Sequence, residues 1–177
     1  MNVKVNKTTH IYKGKVFDLV EEKITLENGI AARMDIIRHP GAAAIIPFLD
    51  QETLILLKQY RHAIGEYIWE IPAGTLEPDE DPLECAHREL IEEPGYRAGK
   101  MKKTGEITPV PGYSDERIRI FTAYDLQQAE QNLDDNEVLE VHEVKFSDAI
   151  DMIYNGEITD GKTITGLLMV FNMLKKG

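Results

Sequence analysis

The chain has 177 residues, 42% of them apolar and 29% charged, which allows one real hydrophobic core and excludes a fibrous or disordered composition. Acidic residues outnumber basic ones 31 to 20 and the net charge is -11, so the basic footprint of a general nucleic-acid or anionic-membrane binder is missing. An anionic ligand would need cations to hold it. The single cysteine, Cys85, excludes an intrachain disulfide and fits a reducing compartment. The start, MNVKVNKTTH, lacks the apolar stretch of a signal peptide, and no apolar run approaches the ~18 residues of a membrane helix. The expected location is the cytoplasm, with neither nucleic acid nor membrane as partner.

In chain order, Val16–Val20 and Glu22–Leu26 read as short strands. Asn28-Gly29 is a hairpin turn, because both residues tolerate positive φ, and Arg33–Arg38 is the returning strand. Residues 1–39 therefore read as a small antiparallel β unit, too thin to stand alone, and 40–177 as the main domain. Ala42–Phe48, Thr53–Gln59 and Glu66–Ile71 read as strands, the last stopped by Pro72-Ala73-Gly74. Asp81–Glu93 is the clearest helix: Asp79 and Asp81 are capping residues, Pro82 suits a first turn, and Leu83, Ala86 and Leu90 share one face. Ile118–Tyr124 and Val138–Phe146 read as strands, Asp148–Asn155 and Thr163–Lys175 as helices. Mixed strands and helices imply an α/β or α+β sandwich.

Charge is uneven along the chain. Between Gly74 and Glu93 lie eight acidic residues and one base, Arg88. Glu89, Glu92 and Glu93 stand at i, i+3 and i+4, on one helix face, where like charges repel unless something cationic compensates. Clustered carboxylates suit Mg²⁺ or Mn²⁺, and no Cys/His spacing suggests zinc.

Gly74, five residues, Glu80, seven residues, then Arg88-Glu89-Leu90-Ile91-Glu92-Glu93-Pro94-Gly95-Tyr96 resembles the signature of the Nudix hydrolases, with Tyr96 where an aliphatic residue is commoner. The resemblance implies a Nudix-type α/β/α sandwich with a mixed β-sheet. It implies hydrolysis of a nucleoside diphosphate linked to another group, with Mg²⁺ as cofactor and Mn²⁺ as the alternative. It assigns Glu89, Glu92 and Glu93, with the Ala73 carbonyl, as metal ligands, and Arg88 as the residue that orients the glutamates.

Over nearly the whole chain the resemblance is closest to the ADP-ribose pyrophosphatases. Lys58-Gln59-Tyr60-Arg61, Trp69-Glu70-Ile71-Pro72-Ala73-Gly74 and Pro111-Gly112-Tyr113-Ser114-Asp115-Glu116 carry it. It implies hydrolysis of ADP-ribose to AMP and ribose 5-phosphate. The alternatives are GDP-mannose or another nucleotide sugar, and, in a different class, a module that binds ADP-ribose without cleaving it. Arg61, Glu70, Arg33, Pro111 and Gly112 become substrate-binding candidates. Glu137, in an acidic loop with Asp135 and Glu140 as rivals, becomes the general base. The resemblance also implies a homodimer, with Phe17, Arg33 or Met34 lining a composite site. Relatives tend to carry Arg where Met34 aligns, and commonly Thr where Pro94 stands. Proline there leaves two outcomes: the helix stops at Glu92 or Glu93 and the site survives, or the Glu93 carboxylate is displaced.

Overall fold

The computed structural model of the chain describes residues 3–133 and 138–175. It comprises two units, one formed by Met1–Gly41 with Thr108–Arg117 and the other by Ala42–Ile107 with Ile118–Gly177. The segment Thr108–Arg117, expected within the main domain, groups instead with the N-terminal strands.

In the first unit the Asn28-Gly29 turn sets the register. Gly29 takes φ +80°, its N–H donates to the Leu26 carbonyl at 2.9 Å, and the Asn28 side-chain oxygen accepts from the Ile30 N–H at 3.1 Å. The turn joins β2 (Asp18–Thr25) to β3 (Ala31–Arg38), antiparallel from Asp18 opposite Arg38 to Thr25 opposite Ala31. β1 (Lys4–Lys13) pairs along the other side of β2. The two short strands read around Val16–Leu26 are thus one strand, and β1 went unread. Its sequence, KVNKTTHIYK, is exposed at nearly every position, so no buried face imposes an alternating pattern.

The segment 108–117 is tied to β3 by both backbone and charge. The Ile37 N–H donates to the Tyr113 carbonyl at 2.8 Å, and the Asp115 N–H returns a bond to the Ile37 carbonyl at 3.2 Å. Asp115 accepts from Arg38 Nη1 and from the His39 N–H, both at 2.9 Å. Arg38 Nη2 reaches Glu22, a buried carboxylate, at 2.7 Å. Partial burial opposes the Asp115 charge, but the His39 N–H and the Arg38 guanidinium outweigh it and hold the carboxyl below its usual value.

The second unit is layered. β4 (Ala42–Pro47) is buried at every position, as a central strand covered on both faces should be. It pairs antiparallel with the short β7 (Ala73–Thr75) and parallel with β9 (Ile118–Gln128), whose other edge takes β8 (Tyr96–Ile107), giving the order β7-β4-β9-β8. A second sheet, β10-β5-β6, is antiparallel throughout: β10 (Leu139–Lys145), β5 (Thr53–Arg61) and β6 (Glu66–Glu70). One core joins Ala44 and Ile46 of β4 to Leu54 and Leu56 of β5 and to α2 (Phe146–Tyr154) and α3 (Gly161–Leu174). The other joins Ala43 and Ile45, on the opposite face of β4, to Cys85, Ala86 and Leu90 of α1 (Pro82–Glu92). This is the α/β/α sandwich with a mixed sheet. β7 and β8 went unread: the first is three residues long, and the second carries two glycines and four positive charges on a largely exposed strand.

The Asp115 clamp has a pH dependence of defined sign. Its folded-state pKa lies below the ordinary 3.8, so its contribution is complete above that pH and is lost as pH falls through the folded value. Hydrogen exchange at the Ile37 and Asp115 amides is expected to quicken as pH drops below about 3.8, after correction for intrinsic rates. Asp115→Asn is expected to show the faster exchange already at neutral pH. Equal exchange in the two proteins at neutral pH would remove the carboxylate from the clamp.

Candidate active site

Helix α1 starts where its sequence says it should. The Asp81 carboxylate accepts from the Leu83 N–H at 2.8 Å, and Pro82 occupies the first turn, where a missing N–H costs nothing. The helix ends at Glu92 with Glu93 as its cap, which is the helix stop expected ahead of Pro94. Glu93 keeps helical φ -81° and ψ -65° although a following proline disfavours that region. The lost donor at Pro94 is bypassed: the Gly95 N–H, at φ +76°, donates to the Ile91 carbonyl at 3.1 Å. The last carbonyls are satisfied from outside, Glu92 by the Asn132 N–H at 3.1 Å and Glu93 by the Gln131 side chain.

The Glu93 carboxylate points back at the loop before the helix. Its Oε2 accepts from the Ala73 N–H at 2.8 Å, and the residue is 2% exposed. Glu89, 7% exposed, lies against Gly74 so closely that a Cβ there would sit 1.7 Å from its Oε1. Glycine at position 74 is therefore what lets the carboxylate touch the backbone. Arg88 balances the charge. Its Nη1 donates to Glu89 at 2.5 Å and to Glu92 at 2.8 Å, its Nε to Glu80 at 2.8 Å, and its Nη2 to Glu80 at 3.0 Å and the Thr75 carbonyl at 3.2 Å. Those bonds, against the opposing effect of burial, push the Glu80 carboxyl down to about 2. Cys85, buried one turn before Glu89, has its thiol pushed up to about 12 by desolvation and is inert packing.

A second charged group stands beside the first. The Arg61 guanidinium, at the end of β5, donates from Nε and Nη2 to Glu70 at 3.1 and 2.5 Å. Burial opposes its charge, but Glu70, Glu93 and Asp160 outweigh that and raise its pKa. Glu70, 3% exposed, is also gripped by Lys162 Nζ at 3.1 Å, which in turn reaches Asp160 at 3.0 Å. Asp160 caps α3 through the Thr163 N–H at 2.9 Å, and the Thr163 hydroxyl accepts from the Ile71 N–H at 2.9 Å. Glu70, read as a substrate contact, thus has both carboxylate oxygens engaged with side-chain cations. Lys162, Asp160 and Thr163 went unread. Asp160-Gly-Lys-Thr carries an N-cap signal, but nothing local shows that it meets a strand end some ninety residues earlier.

The remaining candidates lie elsewhere. Trp69 points away from Glu70, its ring T-shaped to that of His142 with centroids 4.8 Å apart, and Lys58 Nζ lies 5.5 Å from its centroid. Arg33, in the first unit, pairs with Glu21 at 2.8 Å and is largely exposed. Pro111 and Gly112 occupy a turn in which the Tyr113 N–H donates to the Val110 carbonyl at 3.2 Å. Phe17 borders a cleft of about 320 Å³ within the first unit, with Lys15, Arg38 and His39 on its other walls. Glu137 and Asp135 lie outside the described residues. Glu140 is described, exposed and 3.0 Å from His142 Nε2.

Among the described residues, no group of three His, Cys, Asp or Glu side chains stands gathered for a metal. Arg88 is bonded to both Glu89 and Glu92, while Glu93 turns to Ala73. The donors nevertheless fit a hard divalent cation. All are oxygens, and the buried Glu89 and Glu93 carboxylates flank the Ala73-Gly74 loop, where Gly74 leaves room for Glu89.

The Gly74–Glu89 contact is testable on the folded protein alone. Gly74→Ala forces the Glu89 carboxylate away, at a cost of about 1–3 kcal/mol in urea unfolding. In a Glu89→Ala background the same change is expected to cost much less. Equal costs in both backgrounds would place the clash elsewhere.

The NUDIX domain family matches residues 38–166. An ADP-ribose pyrophosphatase of Bacillus subtilis (strain 168) is 41% identical over 155 residues, 86% of this chain and 84% of the relative. A methanol dehydrogenase activator of Bacillus methanolicus is 36% identical over 163 residues, 91% of this chain and 88% of the relative. The crystal structure of an ADP compounds hydrolase superposes with a TM-score of 0.86 over 99% of this chain and 96% of that one, at 21% identity, a likeness of fold. The matched domain covers most of the chain, with Gly74, Arg88, Glu89 and Glu93 inside it, and the chain belongs to the Nudix hydrolases.

Proposed function

We propose that the protein hydrolyses the pyrophosphate bond of a nucleoside diphosphate sugar, with ADP-ribose as substrate and AMP and ribose 5-phosphate as products. The observation that carries this reading is the placement of the Arg61 cation, fixed by Glu70, within electrostatic reach of Glu93. A diphosphate carries dense negative charge, and a site this acidic accepts it only through cations. Arg61 is one, held in a two-point grip that presents its remaining N–H donors. The name of the Bacillus subtilis relative supports the choice of ADP-ribose.

Nudix hydrolases generally depend on a divalent metal. In this chain Glu89, Glu93 and the Ala73 carbonyl, with Glu92 as the third carboxylate, would hold Mg²⁺, or Mn²⁺ as the alternative. A divalent ion held there would supply charge to offset phosphoryl oxygens and would lower the pKa of a water. Arg88 orients Glu89 and Glu92 and tempers their repulsion until the ion arrives. Glu70 and Lys162 keep Arg61 from swinging into solvent. Glu137 is assigned as the base that takes the proton of the attacking water, with Asp135 and Glu140 as its rivals. The buried, unpaired Cys85 is compatible with a reducing cytoplasm, and no helix among the described residues is long and apolar enough to cross a membrane.

A homodimer is part of the same reading. The first unit exposes Val5, Ile11, Tyr12, Val16, Phe17 and Met34. An apolar surface of that kind on a three-stranded sheet favours a second copy as its cover. Sedimentation velocity is expected to give twice the chain mass of 20.1 kDa, and a monomer at micromolar concentration would overturn this assignment.

The activity test is phosphate release, through a coupled phosphatase, from ADP-ribose, GDP-mannose and other nucleotide sugars with Mg²⁺. ADP-ribose is expected to give the highest kcat/KM. Glu89→Gln and Glu93→Gln are each expected to lower kcat by about 100-fold or more, and Glu137→Gln to lower kcat with little change in ADP-ribose affinity. Turnover near wild type in both the Glu89 and Glu93 variants at limiting Mg²⁺ would refute the metal assignment. Binding of ADP-ribose without any release would make the protein a non-catalytic module.

A further inference from the structure

Among the described residues, the Gln59 side chain carries a buried polar atom that the surrounding fold does not satisfy. The residue is 4% exposed, and its Oε1 is buried without a hydrogen-bond partner among the described residues. It stands on β5 opposite Ile68 of β6 and Leu139 of β10, positions where an apolar side chain would pack without penalty. A buried carbonyl left unpaired destabilises the folded state, and such groups persist where they serve another purpose.

Strand geometry says what that purpose is. Residues two apart on a strand share a face, so Leu57, Gln59 and Arg61 point the same way, as do Glu70 and Ile68 paired opposite them. Gln59 therefore lies next to Arg61 on the face that carries the Arg61–Glu70 pair, about 7 Å along the strand. The two groups differ in kind. Arg61 donates and attracts a phosphate oxygen, whereas an amide carbonyl accepts only and would gain nothing from a phosphate without protons. Its partner must bring a donor, uncharged and within one residue pair of a phosphate. The hydroxyls of a sugar esterified to that phosphate meet the description.

We propose that Gln59 is a specificity-determining residue that accepts a hydrogen bond from a hydroxyl of the sugar attached to the distal phosphate of the nucleoside diphosphate. The inference rests on the reading of the site as a nucleotide-sugar hydrolase and deepens it. The bound hydroxyl completes the amide, so the stability forgone in the free protein returns as discrimination between sugars.

Gln59→Met has nearly the same shape and no acceptor, with Gln59→Leu as a second variant should Met pack badly. Each is expected to melt at the same temperature as wild type or higher, because an unpaired buried acceptor has been removed. With ADP-ribose, kcat/KM is expected to fall by about tenfold or more. With an analogue lacking all the free hydroxyls of the distal ribose, wild type is expected to be already slow, and the variants no slower. Unchanged kcat/KM with ADP-ribose in a folded variant, or an equal loss on both compounds, overturns the role of Gln59 while leaving the hydrolase reading intact. A wild-type protein inactive on every nucleotide sugar overturns that reading, and this inference with it.

Discussion

Repulsion among the carboxylates of α1 is the constraint on which the site is built. Glu89, Glu92 and Glu93 share one helix face, Glu80 stands just before the helix, and the first and last of the three are buried. Without compensation such a cluster would destabilise the helix end. Arg88 opposes this by bonding Glu80, Glu89 and Glu92 at once, and Glu93 is answered by a backbone donor on the preceding loop. Arg88 thus ties together three carboxylates that would otherwise repel one another.

A second constraint fixes the Arg61 guanidinium. Arginine has a long side chain with many rotamers, and holding it still costs entropy. Glu70 holds Arg61 through paired bonds, and Glu70 is itself held by Lys162, which belongs to α3 rather than to the sheet. Thr163 of the same helix turn accepts from the Ile71 backbone, so β6 and the start of α3 are joined by both side-chain charge and a backbone bond. Removing a member of this chain would leave a buried charge without its partner, which is far more costly than losing a surface pair.

Several local rules of helix and sheet are broken near the site, and each break has a neighbour that repairs it. Pro94 removes a helix donor, and Gly95, Gln131 and Asn132 satisfy the end. Gly74 sacrifices a side chain, and the Glu89 carboxylate fills the space. Gln59 is the exception, because no described residue repairs it.

The sequence by itself determined a good deal. The 23-residue spacing from Gly74 to Tyr96 located the acidic helix, because capping, proline placement and helical periodicity are all local and act within a turn or two. The central strands were legible because residues buried on both faces must be apolar throughout. Strands with no buried face, β1 and much of β8, were not, since solvent imposes no pattern on them. The tertiary structure alone decided which partner each charged residue takes. Arg88 binds Glu80 eight residues away and within the motif, but Glu70 meets Lys162 across most of the second unit, and Thr108–Arg117 joins strands that precede it by some seventy residues. Such pairings follow from the layering of sheets and helices, a long-range consequence of burying apolar faces. The same layering left the Gln59 carbonyl unpaired beside Arg61, which local sequence could not reveal because polarity is written in the chain and its satisfaction is not.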